Sequence, residues 1–195
     1  DAFLAEHGLE RPPAEVSPPT MPLWDVPPAQ LLFLKGQSNL DRVVFEYHLG
    51  VAHADHLVGR LVERLRELGL EESTLLVVTA DHGESLGERD YWFEHGNLYP
   101  EVLHVPLILA GPGVPAGAVV EDDVSLIDVY PTVLAAAGQA AGGVQGLDLR
   151  RLASAGAAAP RKLWFQLSDR RQTGFRDERV HFVATLEDGL RWISG

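Results

Sequence analysis

Thr74-Leu-Leu-Val-Val-Thr-Ala80, running straight into Asp81-His-Gly-Glu-Ser-Leu-Gly-Glu88, decides the fold. A short, β-branched, almost wholly apolar run reads as a strand buried on both faces, as in a parallel sheet. Upstream, Leu57, Leu61, Leu65 and Leu68 recur at helical spacing, and Val58 and Val62 broaden the stripe. Arg60, Glu63, Arg64, Arg66 and Glu67 fill the other face, so the pattern predicts an amphipathic helix over 41–68. Gly69 then reads as a left-handed cap and Leu70 as its apolar contact. Downstream, Val105-Pro-Leu-Ile-Leu-Ala110 is a second strand, closed by Gly111-Pro-Gly113. Pro106 is tolerable at a strand entrance. Ser125 to Gly138 reads as another helix, with Ser125 and Asp128 at capping spacing and Pro131 marking a kink or the true first turn. Helix, strand, loop, strand, helix is the alternation of α/β folds.

The flanks read differently. Pro12, Pro13, Pro18, Pro19, Pro22, Pro27 and Pro28 forbid long regular elements, and Leu23 and Trp24 are placed to pin this arm to a surface. Residues 2–8 fit a helix end stopped by Gly8. Residues 139–160, rich in Ala and Gly, read as a surface connection. From Leu163 to Ile193, β-branched and aromatic residues predict two or three short strands, with Asp188-Gly189 as a turn. The organisation expected is an arm over 1–40, an α/β core over 41–150, and a linker with a strand segment over 151–195.

Composition excludes several classes. The 195 residues are 46% hydrophobic and 23% charged, a globular balance. A formal net charge of -12 suits neither nucleic acid nor an anionic membrane. Zero cysteines exclude a disulfide framework, a thiolate zinc site and a cysteine nucleophile within the sequence. No run approaches the roughly twenty apolar residues that span a bilayer. The first residues, Asp1-Ala-Phe-Leu-Ala-Glu-His-Gly8, lack the pattern of a signal peptide and look like the middle of something longer.

The chemistry concentrates after the first strand. In open α/β sheets, ligands bind beyond the carboxyl ends of strands. Asp81 and His82 there can converge if Gly83 lets the backbone turn. A carboxylate beside a neutral imidazole suits a divalent cation, with nitrogen favouring zinc or manganese over calcium. The bland alternative has Asp81 capping a following helix and His82 as a satisfied polar residue. His95, before Gly96 and after Tyr91, Trp92 and Phe93, could donate to an anionic oxygen or protonate a leaving group. Taken alone, it reads equally as a surface histidine beside an aromatic anchor. His53 and His56, three apart, could share a face as zinc-binding pairs do, but they fit a packing helix better.

The ordered motifs from Tyr47 to Gly113 resemble the sulfatase branch of the alkaline-phosphatase superfamily. They are Asp55 with Val58-Gly-Arg-Leu61, Thr74 to Glu84, Leu86-Gly-Glu88, His95-Gly96, Leu98-Tyr-Pro-Glu101 and Val105-Pro-Leu-Ile108. Val124 to Leu134 and Gly146-Leu-Asp-Leu149 extend the likeness, which covers roughly residues 40 to 150. It implies a mostly parallel sheet flanked by helices, short antiparallel strands near the C-terminus, and a sheet incomplete at the N-terminus. It implies that Asp81 and His82 are metal ligands for one divalent ion (calcium, or zinc, manganese or magnesium). It implies that His95 contacts the sulfate or the leaving oxygen. Glu84 and Ser85 would be loop and helix-capping residues. Arg89 stands where the family often has histidine, and could pair with sulfate oxygens or sit in water. His104 stands where arginine is favoured.

One element of the family pattern is missing. Sulfatases carry an earlier strand ending in paired aspartates and a Cys/Ser-x-Pro-x-Arg motif whose first residue supplies the formylglycine nucleophile. Ser17 and Ser168 do not fit that motif. The expectation is the later portion of a metal-dependent sulfuric ester hydrolase, inactive alone, whose substrate is a small-molecule or saccharide sulfate ester. A phosphoethanolamine or phosphoglycerol transferase, or a phosphodiesterase, of the same superfamily is the alternative. A non-catalytic module binding an anion or sugar is another. Localisation and oligomeric state stay open.

Overall fold

A computed structural model describes residues 4–5, 8, 40–155, 160–167, 171–185 and 189–193, except the side chains of 40, 90 and 189–193. The proline-rich arm, with Leu23 and Trp24, lies outside the described residues, as do Ser17, Ser168 and Asp188. Two compact units form. One holds the described residues up to Glu71 together with Glu84–Glu94, and the other holds Glu72–Gly83 and the described residues from His95 onward.

In the first unit, helix α1 spans Leu40–Glu67. It ends as its glycine predicts. Gly69 adopts φ 65, Gly69 N–H donates to Arg66 O at 3.0 Å, and Leu70 N–H reaches back to Leu65 O at 2.9 Å. This is the paired bonding of a left-handed cap. The more covered stripe is Val58, Val62 and Leu65, while Leu57 and Leu61 remain exposed. The stripe expected from the leucines is therefore rotated by about one position.

The 3₁₀ turn Glu71–Ser73 leads to β1, Leu76–Thr79. Its partner β4, Leu107–Ala110, starts one residue after Pro106. The pair is antiparallel, with Leu76 opposite Ala110 and Thr79 opposite Leu107. Every pairing among the described residues is antiparallel, so no parallel neighbour of β1 is among them. The segment between the strands returns the chain in the opposite direction. Gly111 (φ 127) closes the pair, because a Cβ there would strike the Thr74 carbonyl. β1 is half-buried rather than sealed on both faces, and Thr79 is exposed.

Between them lie a hairpin in the first unit, β2 (Ser85–Leu86) with β3 (Trp92–Glu94), and the short helix α2 (Pro100–Leu103) in the second. A 3₁₀ turn over Leu126–Asp128 opens helix α3, Val129–Ala136. Pro131 falls in its first turn, where a missing N–H costs nothing. Ser125 N–H donates to Asp128 Oδ2 at 2.8 Å, the backward half of a capping box. Gly138 (φ 71) terminates α3, with Gln139 N–H on Leu134 O.

The stretch expected to be a plain connection contains helix α4, Leu149–Ala155. Alanine favours helix, and Leu149 and Leu152 bury one face. Asp148 holds the start, accepting from Arg150 N at 3.2 Å. The last segment forms four strands rather than two or three: β5 (Leu163–Gln166), β6 (Gln172–Arg176), β7 (His181–Thr185) and β8 (Gly189–Ile193). They make one antiparallel sheet in sequence order.

A buried polar network ties α3 to the start of α4 and to Arg161. Asp128, with no exposed surface, accepts from Leu147 N at 2.8 Å and from Arg161 Nη1 at 2.8 Å. Thr132, also fully buried, donates to Asp128 O at 2.6 Å and accepts from Leu149 N at 2.9 Å. Buried charge is tolerable when paired and hydrogen-bonded in this way. Among the described residues no helix is long and apolar enough to cross a membrane.

Candidate functional site

Asp81 and His82 lie just beyond the carboxyl end of β1, after Ala80. No helix begins there, so Asp81 is not a helix cap. Its Oδ1 accepts the His82 backbone N–H at 3.0 Å, which turns the carboxylate toward its neighbour. His82 Nδ1 lies 2.8 Å from the Gly83 carbonyl. A carbonyl can only accept, so Nδ1 carries a proton, and the neutral form of the ring then has its lone pair at Nε2. That nitrogen sits 3.8 Å from Asp81 Oδ2. The Asp81 side chain is 90% exposed and that of His82 40%.

Gly83 serves a different purpose from the one its sequence position suggests. Its N–H donates to Val102 O at 2.7 Å. A Cβ at this position would collide with the Glu101 carbonyl and crowd Val102 Cα. The glycine is there for close backbone approach, which anchors the site loop to α2, rather than for a special dihedral angle.

Glu84 and Ser85 are not helix-capping residues. Ser85 is fully buried in β2, opposite Glu94 of β3. That pairing folds the intervening residues into a hairpin. Gly87 (φ 124) and Arg89 (φ 53) wind the hairpin tip, and Phe93 (φ 51) sits within β3 at the irregularity in the pairing, between the partners of Ser85 and Leu86. Positive φ at two non-glycine residues is uncommon and stores strain. Arg89 sits at this exposed tip, in the first unit, whereas Asp81, His82 and His95 belong to the second.

The His95 ring stacks on that of His82, with centroids 3.9 Å apart and planes 20° from parallel. Three of the sequence candidates are therefore adjacent: a carboxylate and two imidazoles. The residues just after His95 hold it in place. Asn97 is fully buried and its Oδ1 accepts Tyr99 N–H at 3.0 Å. Leu98 N–H, also buried, donates to Gln172 Oε1 at 2.9 Å. Reading the sequence missed both Asn97 and Gln172. Asn97 could have been found, since asparagine two residues ahead of a bonded N–H and just before Pro100 marks a turn into a helix. Gln172 acts across the fold and leaves no local signal.

A divalent ion fits the donor set. Two ligands each about 2.0–2.2 Å from one ion can be at most about 4.4 Å apart, and 3.8 Å lies inside that limit. Among the described residues no group of three or more His, Cys, Asp or Glu gathers for a metal, so Asp81 and His82 would supply two of its ligands. His53 and His56 stack at 6.5 Å on α1, without a third donor among the described residues.

Comparison with known proteins agrees with the motifs. The sulfatase family model matches residues 7–139, more than half of the chain. Arylsulfatase K of Bos taurus is 39% identical over 92 residues, covering 47% of this chain and 17% of that protein. A solved 2-O GAG sulfatase superposes with a TM-score of 0.70 at 17% identity, over 99% of this chain and 49% of its own. The phosphonate monoester hydrolase of Silicibacter pomeroyi aligns with a TM-score of 0.58 at 30% identity, over 71% of this chain and 31% of its own. This chain thus spans less than a fifth of that arylsulfatase's length and no more than half of either solved chain. The superposition shows an alkaline-phosphatase-like α/β fold. The chain belongs to the sulfatase family of the alkaline-phosphatase superfamily.

Proposed function

We propose that this chain supplies the metal-binding and leaving-group side of a sulfuric ester hydrolase acting on a sulfated saccharide or a small sulfate ester. The observation that carries the reading is the juxtaposition of Asp81 Oδ2, His82 Nε2 and the stacked His95 ring at the end of β1. Asp81 and His82 would hold one divalent ion, which when bound polarises the ester oxygens. The Gly83 carbonyl fixes the His82 tautomer, so Nε2 is a ligand without rearrangement. His95, exposed beside the pair, would hold a proton at the leaving oxygen as the S–O bond breaks. The reading does not rest on Arg89. The sulfated-saccharide substrate is supported by the solved 2-O GAG sulfatase of the same fold.

The sequence has no cysteine and no Ser-x-Pro-x-Arg motif. We infer that the nucleophile and the remaining metal ligands come from outside these residues, and that the 195-residue chain alone does not turn over. Aryl sulfate hydrolysis, assayed on this chain and on the polypeptide purified from its own cells, tests both points. The expected result is chelator-sensitive turnover in the cellular protein only, lowered about 10²–10⁴-fold by His95→Ala. Turnover by the 195-residue chain, or no effect of His95→Ala, would contradict it. Likeness to a phosphonate monoester hydrolase favours a second reading, in which the same residues serve a phosphorus ester. Preference for an aryl phosphonate over the aryl sulfate would select it.

A further inference from the structure

We propose that Gln172 is a positioning residue for the reaction: through Leu98 and α2 it sets the stack between the His82 and His95 rings. This rests on the proposed function and gives that site a brace in the β5–β8 sheet. Gln172 opens β6 and is buried, 74 residues along the chain from Leu98. Leu98 N–H can only donate, so the atom that meets it at 2.9 Å is the amide oxygen. The amide nitrogen is thereby turned to Thr185 Oγ1, 3.3 Å away. Thr185 stands opposite Gln172 in the β6–β7 register. The amide is thus held from within its own sheet and aims one acceptor at the segment that follows His95.

That segment serves both histidines. Asn97 Oδ1 accepts Tyr99 N–H at 3.0 Å, and Tyr99 O accepts Val102 N–H and Leu103 N–H at 3.0 Å each. Leu98, Tyr99 and Val102 are buried. Further on, Val102 O accepts Gly83 N–H at 2.7 Å, and Gly83 O accepts from His82 Nδ1 at 2.8 Å. One bonded, buried strut therefore follows directly from His95 at one end and reaches the partner of His82 at the other. Gln172 fixes that strut to the sheet. Both rings are exposed, so the backbone beneath them, more than packing around them, sets their 3.9 Å spacing. A rigid segment of this kind can carry a displacement to both rings. A shift of about 1 Å that begins away from the chemistry can cost about 10²-fold in rate.

The test pairs two substitutions. Gln172→Met keeps the length of the side chain and removes the acceptor, whereas Gln172→Glu keeps an acceptor. In NOE spectra of the full chain, Gln172→Met should lose the cross-peak between the His82 and His95 rings, and Gln172→Glu should retain it. In the polypeptide purified from its own cells, Gln172→Met should lower kcat for an aryl sulfate about 10–100-fold and leave KM nearly unchanged, and Gln172→Glu should restore most of the rate. Thr173→Val, an exposed change at the next position of β6, should alter neither readout. Thr185→Val removes the contact that turns the amide. It should give a milder form of the same loss, and it decides the matter if Gln172→Met does not fold. A cross-peak that persists in Gln172→Met and Thr185→Val overturns the proposal even if unfolding midpoints fall, because the bond then serves stability alone. Equal loss in Gln172→Met and Gln172→Glu also overturns it, as does absence of the cross-peak in the unaltered chain. No turnover by the unaltered cellular protein would sink the sulfatase reading alone, and the cross-peak would still decide the role of Gln172.

Discussion

At the scale of single residues, the site depends on small groups placed without slack. One backbone N–H orients the Asp81 carboxylate and one carbonyl fixes the His82 imidazole proton, the arrangement on which the proposed metal pair depends. Asp81→Ala or His82→Ala should each weaken metal binding about 10–100-fold, the scale at which loss of a metal-site contact is felt. Thermal-shift titrations with zinc and manganese measure this, and identical midpoints in wild type and variants would remove both residues from the metal role. Gly83→Ala should destabilise the chain by about 1–3 kcal/mol in urea unfolding, because the added methyl collides with backbone that cannot swing aside. A change below about 0.5 kcal/mol would show that the α2 approach is loose.

At the scale of elements, two features hold the second unit's loops in place. Asp128 receives bonds from Ser125, Leu147 and Arg161 while fully buried. Asp128→Ala leaves the Arg161 charge half-buried and unpaired, and should cost about 3–5 kcal/mol. Asp148 gives this part of the fold a pH dependence. Burial pushes its carboxyl up, but the bonds and charge from Arg150, with the charge of Arg151, outweigh burial and hold it below the ordinary range. A pKa lower in the folded than in the unfolded chain means stability that is present above about pH 4 and lost as pH falls through the folded value. Asp148→Asn should flatten the acid limb of a stability–pH curve measured by urea unfolding, and an unchanged limb would assign it to other carboxylates. The caps at Gly69 and Gly138 and the turn at Pro131 were legible in sequence because each is decided within a few residues. The antiparallel run of β4 and the helix over Leu149–Ala155 were not. Strand direction depends on a partner distant in sequence, and the Ala-rich stretch declares itself a helix only once Leu149 and Leu152 find something to bury against.

At the scale of the whole molecule, family membership and activity are separate matters. The fold brings Asp81, His82 and His95 side by side beyond the carboxyl end of β1, and all three stand within the ordered motifs. What the sequence left hidden is the support: buried Asn97, the distant Gln172, and the close approach at Gly83. These act through contacts between segments and carry no motif. The central claim is that His82 Nε2 and Asp81 share a divalent ion. Its most direct test is ¹⁵N NMR of the imidazoles while Zn²⁺ is titrated into the folded chain, which contains 8 histidines. The account predicts that the His82 Nε2 signal moves first, that its Nδ1 stays protonated, and that Asp81→Ala suppresses the shift. A His82 signal that stays fixed while the stacked pair His53 and His56 responds would contradict it.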